Sequence, residues 1–347
     1  MKKIKWGVIG CGGIADRRTL PGMMLANNAE LVAVMDANPD AAERVREKYG
    51  ARYAFTDYAE LLALDEIEAV YIASPVFCHM EQALAAAKAK KHVLLEKPMA
   101  LTTAESQIIA DTCKKEGVKL GVGLMMRFAS SHRAMKELIK KGALGEIVSA
   151  RGQFTCWYPD IEGSWRQNKA ISGGGALMDM GIHCIDLIQY ITGLSAVEVA
   201  AFSATQTFNY NVDDASSLVA RMNNGAFMNI EANFNIPDDA AKCRLEIYGT
   251  KGSILAEGTL SQVEGGEVYY ITSDDTLGYD AAQNREAVGF KKLETEGGNM
   301  YTKEIESFGN AIINDTAPEI TGEDGIFVQR IVEEAYASSE THTFKKI

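Results

Sequence analysis

Ile4-Lys5-Trp6-Gly7-Val8-Ile9-Gly10-Cys11-Gly12-Gly13-Ile14-Ala15 is the stretch on which the reading of this chain turns. An apolar run breaks at Gly10, and a helical pattern, Ile14–Asn27, follows. The break fits G-x-G-x-x-A. Gly10 permits a tight turn, Gly12 lets backbone approach a pyrophosphate, and the small Ala15 allows close helix–strand packing. The helix start offers unpaired N–H groups and partial positive charge to phosphates, so Gly10, Cys11, Gly12, Gly13 and Ile14 form a candidate nucleotide cradle. Twenty-one residues past Ala15, Val32-Ala33-Val34-Met35 ends in Asp36. A carboxylate there accepts from both adenosine ribose hydroxyls and repels a 2′-phosphate. Ala37 and Asn38 bring no positive charge, which favours NAD over NADP. Arg17 and Arg18, early in the helix, are the counter-signal, and they read equally as a solvated helix face.

Outward from this turn the pattern repeats. Apolar runs Ile4–Ile9, Leu31–Met35, Ala69–Ala73, His92–Leu95 and Leu120–Gly123 alternate with helical patterns Ile14–Asn27, Pro39–Tyr49, Cys78–Ala89 and Thr102–Glu116. Near-continuous apolar strands separated by helices predict a doubly wound α/β domain with a parallel sheet, residues 1–123. The remainder, 124–347, has a different texture. Glu146–Phe154, Val197–Phe208, Ser216–Met222, Ala226–Phe234, Arg244–Tyr248 and Ser253–Ala256 read as strands, with Asn223-Asn224-Gly225 as a hairpin turn. They predict a mostly antiparallel sheet, interrupted by one helix near Gly175–Ile191. Residues 273–299 read as a loop. Helices return at Tyr301–Ile313 and Gly322–Ser338, and whether the last packs back on the first domain stays open.

Composition excludes several classes. A net charge of −12 argues against a nucleic-acid partner, which calls for a basic stripe. No apolar run approaches the ~18 residues of a membrane span. The six cysteines show neither C-x-x-C nor zinc spacing, so they read as free thiols of a cytoplasmic protein without a bound metal. Met1-Lys2-Lys3 superficially resembles the start of a secretion signal, but the apolar stretch behind it is too short and reads as a strand.

Two further segments carry chemistry. Glu96-Lys97-Pro98 ends the strand His92–Leu95, where ligands of open α/β sheets bind, and Pro98 makes a cis bond an option. Gly173-Gly174-Gly175 precedes a helix in which Asp179 and His183 stand four residues apart, on one face. A carboxylate beside an imidazole orients it for proton transfer. Taken alone, the first segment reads as a surface turn and the second equally well as a buried polar pair.

Together these pieces resemble the Gfo/Idh/MocA oxidoreductases, the family of glucose–fructose oxidoreductase and inositol dehydrogenase. The resemblance rests on the glycine turn, Ile72-Ala73-Ser74-Pro75 with His79, Glu96-Lys97-Pro98, and Gly174-Gly175 running into Asp179-Met180-Gly181-Ile182-His183, in that order. The Tyr301–Ile313 helix extends it over essentially the whole chain. It implies a Rossmann domain and a C-terminal α/β domain with a large open sheet. It implies a catalytic group of Lys97, Asp179 and His183, with Ser74, Pro75, His79, Glu96 and Lys97 along the nicotinamide half of the cofactor. It also implies a homodimer or homotetramer formed through the second domain's sheet.

The expected activity is NAD-dependent hydride transfer at a ring CH–OH or C=O of a sugar, sugar derivative or cyclitol. Arg127, Tyr158, Trp165, Arg166, Asn168 and Tyr301 are the candidates for lining the substrate pocket, Arg127 first among them. Aromatic faces suit sugar rings, while arginine and asparagine suit hydroxyls or a carboxylate. Two rivals share the fold: an NAD-dependent glycosidase or lyase that oxidises its sugar transiently, and a non-enzymatic regulator.

Overall fold

The computed structural model describes residues 2–272, 281 and 289–347. It divides into two compact units. The first comprises Met1–Phe128, Ile161–Gly175 and Asn299–Glu333, and the second Ala129–Asp160, Ala176–Gly298 and Glu334–Ile347.

The first unit is built on six parallel strands: β1 (Ile4–Ile9), β2 (Ala29–Met35), β3 (Tyr53–Phe55), β4 (Ala69–Ile72), β5 (His92–Glu96) and β6 (Leu120–Gly123). Their order is β3-β2-β1-β4-β5-β6, which reverses direction of growth between β1 and β4. Helices on both faces bury the strands, so β4 and β6 are buried at every residue. Trp6, Val8, Tyr71, Leu94, Ile305 and Phe308 belong to the main core cluster. The short β3 and the helix Tyr58–Leu62 escaped the pattern reading, because three and five residues give too little periodicity. The last helix, Gly322–Thr341, contributes its first turns to this unit. There Gln329 donates to the Ala100 carbonyl at 2.8 Å and accepts from the Ser106 hydroxyl at 2.9 Å.

Among the described residues the second unit holds nine strands: β7 (Ile147–Thr155), β8 (Ala196–Ala204), β9 (Ala215–Met222), β10 (Phe227–Asn233), β11 (Arg244–Gly249), β12 (Gly252–Glu257), β13 (Glu267–Thr272), β14 (Lys291–Lys292) and β15 (Lys345–Lys346). They run in the order β14-β13-β12-β11-β7-β10-β9-β8-β15, antiparallel except for β7 beside β10. The β9–β10 hairpin closes over Gly225 at φ +92°, a left-handed geometry that glycine takes without strain. The strand predicted over Val197–Phe208 stops at Ala204, because the Asp214 carboxylate accepts the N–H groups of Gln206, Thr207 and Phe208 and turns the chain away. The amphipathic helix Ser130–Lys140, which buries His132 and Met135, and strands β13 and β15 add to the elements read from sequence. Of the expected loop 273–299, residues 273–280 and 282–288 lie outside the described residues, and Lys291–Lys292 form β14.

All six cysteines are free thiols. Among the described residues no helix is long and apolar enough to cross a membrane.

Candidate functional site

Gly10 follows β1, Ser74 follows β4 and Lys97 follows β5. These strands are neighbours and parallel, so all three residues emerge on one edge of the first sheet. Gly10 sits at φ +95°, and a Cβ there would lie 2.6 Å from the Ser74 nitrogen and 2.7 Å from the Ala73 carbonyl carbon. No other residue fits this crossing. A Cβ on Gly12 or Gly13 would meet nothing within 4 Å, so the outer side of the turn is open to a ligand. Asp36 closes the cradle. Its Oδ2 accepts from the Cys11 N–H at 2.8 Å and its Oδ1 from the Asn38 N–H at 2.9 Å. Each oxygen retains acceptor capacity for a ribose hydroxyl. The Cys11 side chain points inward to the Met35 carbonyl, and burial followed by the Asp36 charge pushes its thiol up to about 12, so it is inert.

The first helix departs from the expected regular form. It opens with Ile14 in helical conformation, widens into a π-type turn at Ala15–Thr19 and continues as Leu20–Leu25. Such insertions recur at functional sites. Asp16 braces the turn against the helix Pro39–Tyr49, accepting from Arg44 at 2.6 Å, Lys48 at 2.8 Å and the Tyr49 hydroxyl at 3.0 Å. Burial alone raises this carboxyl, but the three donors prevail and hold it at about 2.

Around Lys97 the sheet edge is polar and buried. The Lys97–Pro98 bond is cis. Glu96 is buried, with its carboxylate accepting from the Tyr71 hydroxyl and from the Lys97 N–H at 3.2 Å, and Tyr71 in turn meets the Thr19 hydroxyl at 2.8 Å. The ring of His79 bridges two main-chain carbonyls, Ser74 at 2.9 Å and Pro98 at 3.0 Å. Burial lowers its pKa to about 4, so the ring is neutral and its single N–H donates to one of the two carbonyls while the other nitrogen packs beside the second. The Ser74 hydroxyl donates to Gln82, and the Pro75 carbonyl accepts from the Cys78 N–H at 2.9 Å.

The substrate candidates of the first unit divide. Arg127 is buried with both terminal nitrogens 3.2 Å from Asp324 Oδ1. Asn168 caps the turn Lys169–Ser172 through the Ala170 N–H. Arg166 lies over the Trp165 ring, 4.3 Å from its centroid, and its charge offsets a small part of the burial that raises the Glu96 carboxyl. Tyr301 is fully inside, its hydroxyl without a partner among the described residues.

Asp179, His183 and Tyr158 belong to the second unit. The predicted helix again begins wide: Leu177–Gly181 is a π-type turn, running into the helix Ile182–Thr192. His183 is buried, its ring tilted against Phe154 at 6.3 Å, whereas Asp179 alone between Gly174 and Ile188 reaches partly to the surface. The start of this turn has no side-chain cap of its own. Asp213 supplies one, accepting from the Leu177 N–H at 2.9 Å, the Ser216 hydroxyl at 2.8 Å and the Tyr336 hydroxyl at 2.7 Å. Tyr336 also accepts from the Met178 N–H at 3.2 Å. Neither residue was found from sequence, since their tie to the turn is long-range and no local spacing marks it. Tyr158 packs on Phe234 at 5.1 Å, and its carbonyl accepts from the Tyr210 hydroxyl at 3.1 Å.

Comparison with known proteins agrees with both units. Residues 4–124 match the model of the oxidoreductase family with an NAD-binding Rossmann fold, and residues 132–255 match the GFO/IDH/MocA C-terminal domain. The 1,5-anhydro-D-fructose reductase of Ensifer adhaerens is 29% identical over 93% of this chain and 92% of its own. Glucose-6-phosphate 3-dehydrogenase of Bacillus subtilis is 34% identical over 72% of this chain and 73% of its own. A levoglucosan dehydrogenase solved with NADH and levoglucosan superposes with a TM-score of 0.88, covering 100% of both chains at 26% identity. With the glycine cradle, Asp36 and the two sheets in place, the chain belongs to the Gfo/Idh/MocA oxidoreductases, carrying their NAD-binding Rossmann domain and their C-terminal domain.

Proposed function

We propose that this member of an NAD(P)-dependent sugar oxidoreductase family transfers a hydride between NAD(H) and a ring CH–OH or C=O of a sugar, sugar derivative or cyclitol. The observation that carries the reading is the shared sheet edge. The open glycine turn, the doubly anchored Asp36 and Lys97 all lie at the carboxyl ends of adjoining strands, where ligands of such sheets bind. Asp36 favours NAD over NADP, because a 2′-phosphate brought to it would meet a carboxylate. When bound, the nicotinamide supplies a hydride acceptor or donor, and the protein supplies the proton and the charge.

Lys97, Asp179 and His183 are the catalytic residues in this reading. The His183 imidazole takes the hydroxyl proton on oxidation and returns it on reduction. The Asp179 carboxylate stabilises the charged form of that ring. The Lys97 ammonium stabilises charge developing on the substrate oxygen, where preorganised electrostatics contributes most. Ser74, Pro75, His79 and Glu96 shape the nicotinamide end. Trp165 with Arg166, and Tyr158, Asn168, Arg127 and Tyr301 more distantly, shape the sugar pocket. The relatives named above act on sugars by their names, which supports this substrate class.

A homodimer or homotetramer accords with the outward face of the second sheet, where Phe202 is 76% exposed beside Val219, Phe227 and Tyr248. Exposed apolar surface of this kind marks interaction sites.

The test is a panel of sugars, cyclitols and glycosides with NAD⁺ and NADP⁺, following reduced nicotinamide and analysing products. Net NADH with an intact glycosidic bond is expected. Glycoside cleavage without net NADH overturns the dehydrogenase reading in favour of transient oxidation and elimination.

A further inference from the structure

Besides Glu96, the first unit buries a second carboxyl that the proposed chemistry does not use. Glu304 lies on the inner face of the helix Met300–Ile313, alongside Tyr301, Ile305 and Phe308. It is 2% exposed, and neither of its carboxyl oxygens has a hydrogen-bond partner among the described residues. Native interiors seldom leave such a group unexplained.

Its location follows from the register. On β6 the glycines 121 and 123 face the same side, as do Leu94 and Glu96 on the neighbouring β5. A Cβ on Gly121 would lie 2.7 Å from the Phe308 ring and 3.2 Å from Leu94. A Cβ on Gly123 would lie 3.1 Å from the Glu96 carboxyl carbon. Phe308 therefore fills the first missing side chain. One helical turn earlier, Glu304 advances toward the strand tips, to the level of Glu96. Leu94, Gly121, Val122, Phe128 and Glu304 share the lining of a cavity of about 10 Å³, room for one water at most.

Both carboxyls are buried, and the Glu96 charge acts on Glu304, which disfavours ionising both. Their surroundings assign the proton. Glu96 accepts from the Tyr71 hydroxyl and the Lys97 N–H, and feels the charges of Lys97 and Arg166. Among the described residues Glu304 has no hydrogen-bond donor, and its charge would act on the Tyr301 and Tyr71 hydroxyls as the Glu96 charge acts on it. Arg17 and Arg18 act on Tyr301 from the first helix. Burial raises both carboxyls, and it takes Glu304 well above the carboxylate range.

We propose that Glu304 is a positioning residue: it keeps a proton at neutral pH, leaves Glu96 as the charged member of the pair, and through Glu96 fixes the backbone at Lys97. The positioning part rests on the dehydrogenase reading above; the protonation part does not. Infrared spectroscopy of the purified protein at neutral pH, with and without Glu304→Gln, tests the proton. A protonated-carboxyl C=O band present in the native protein and lost in the variant supports the proposal, and a spectrum without such a difference overturns it. Kinetics tests the positioning. Glu304→Gln keeps a neutral donor and acceptor, so its turnover is expected within about twofold of native. Glu304→Met removes both, and is expected to lower kcat about tenfold with KM for NAD little changed. Thermal unfolding confirms that both variants are folded. A Glu304→Met protein with native kcat, or a Glu304→Gln protein as impaired as Glu304→Met, overturns the positioning role. If the native protein turns over no sugar, the dehydrogenase reading fails and the infrared result alone decides whether Glu304 is protonated.

Discussion

The two sheets of this chain solve burial in opposite ways. In the parallel sheet, helices cover both faces, and β1, β4 and β6 are buried along almost their whole length. No strand face is left for function, so the residues proposed to meet the cofactor gather at the strand ends, at Gly10, Ser74 and Lys97. In the second sheet β9 and β10 alternate buried and exposed residues, and one face stays open. Its chemistry-bearing residues, Asp179 and His183, come instead from a helix packed on the covered face, through contacts such as Phe154 with His183. In the proposed reading, the fully buried sheet has its function at its rim, and the half-buried one leaves a surface that could join copies of the chain.

The sharpest test of the rim is chemical. Lys97→Ala and His183→Ala are each expected to lower turnover by ~10²–10⁴, the usual contribution of acid–base groups, with NAD affinity nearly unchanged. Steady-state rates and a cofactor titration by fluorescence measure the two. Near-native turnover in Lys97→Ala would remove that residue from the mechanism.

The rim also has an acid limit. Burial lowers the pKa of His79 to about 4 and keeps its ring neutral, against the pull of the two strand-end carbonyls beside it. A depressed folded pKa means that the stabilisation is complete above the unfolded value near 6.5 and is lost as pH falls toward 4. The loss amounts to about 3 kcal/mol across that window. Denaturant unfolding of native protein and of His79→Gln at several pH values measures it. The variant is expected to show a flatter dependence below pH 6.5.

Inside the parallel sheet, Gly121→Val drives a branched side chain into the Phe308 ring, where a Cβ alone reaches 2.7 Å. Overpacking of this kind costs roughly 1–3 kcal/mol. A calorimetric melt unchanged in this variant would show that the interior yields more than the register suggests. On the first helix, Asp16→Asn should cost less. It loses the pairing with Arg44 and Lys48, but both cations are about half exposed and screened, leaving about 1 kcal/mol. Because this carboxyl is depressed to about 2, that contribution is present above pH 4 and fades as pH falls to 2.

The same contrast decides what was legible in the sequence. Near-continuous apolar runs fixed β1, β2, β4, β5 and β6 to within about two residues, and the glycines and Asp36 announced the cradle by local spacing. Three things were not legible. The π-type turns at Ala15–Thr19 and Leu177–Gly181 depend on capping groups distant in sequence, such as Asp213, Tyr336 and the Pro39–Tyr49 helix. The engagement of Arg127 by Asp324 joins residues almost two hundred positions apart. Glu304 did leave a trace, a carboxyl standing within the apolar stripe Tyr301, Ile305, Phe308, but only the register of β5 and β6 gives that trace a meaning.

The smallest stability effect belongs to the open face. Phe202, Val219 and Phe227 alternate with buried residues and face solvent, so replacing them removes little from the interior of the unit. Surface changes away from caps and buried networks stay within about 0.5 kcal/mol. A double variant, Phe202→Glu with Phe227→Glu, is therefore expected to melt like the native protein. If this face joins copies of the chain, like charges set against each other there should still dissociate them, because a paired apolar face tolerates unpaired carboxylates poorly. Sedimentation of the two proteins over a concentration series reads the difference. A lowered assembly mass with an unchanged melt supports the division between a sheet that stabilises and a sheet that associates. An unchanged mass would place any self-association elsewhere, and a lowered melt would show that the exposed face contributes to folding after all.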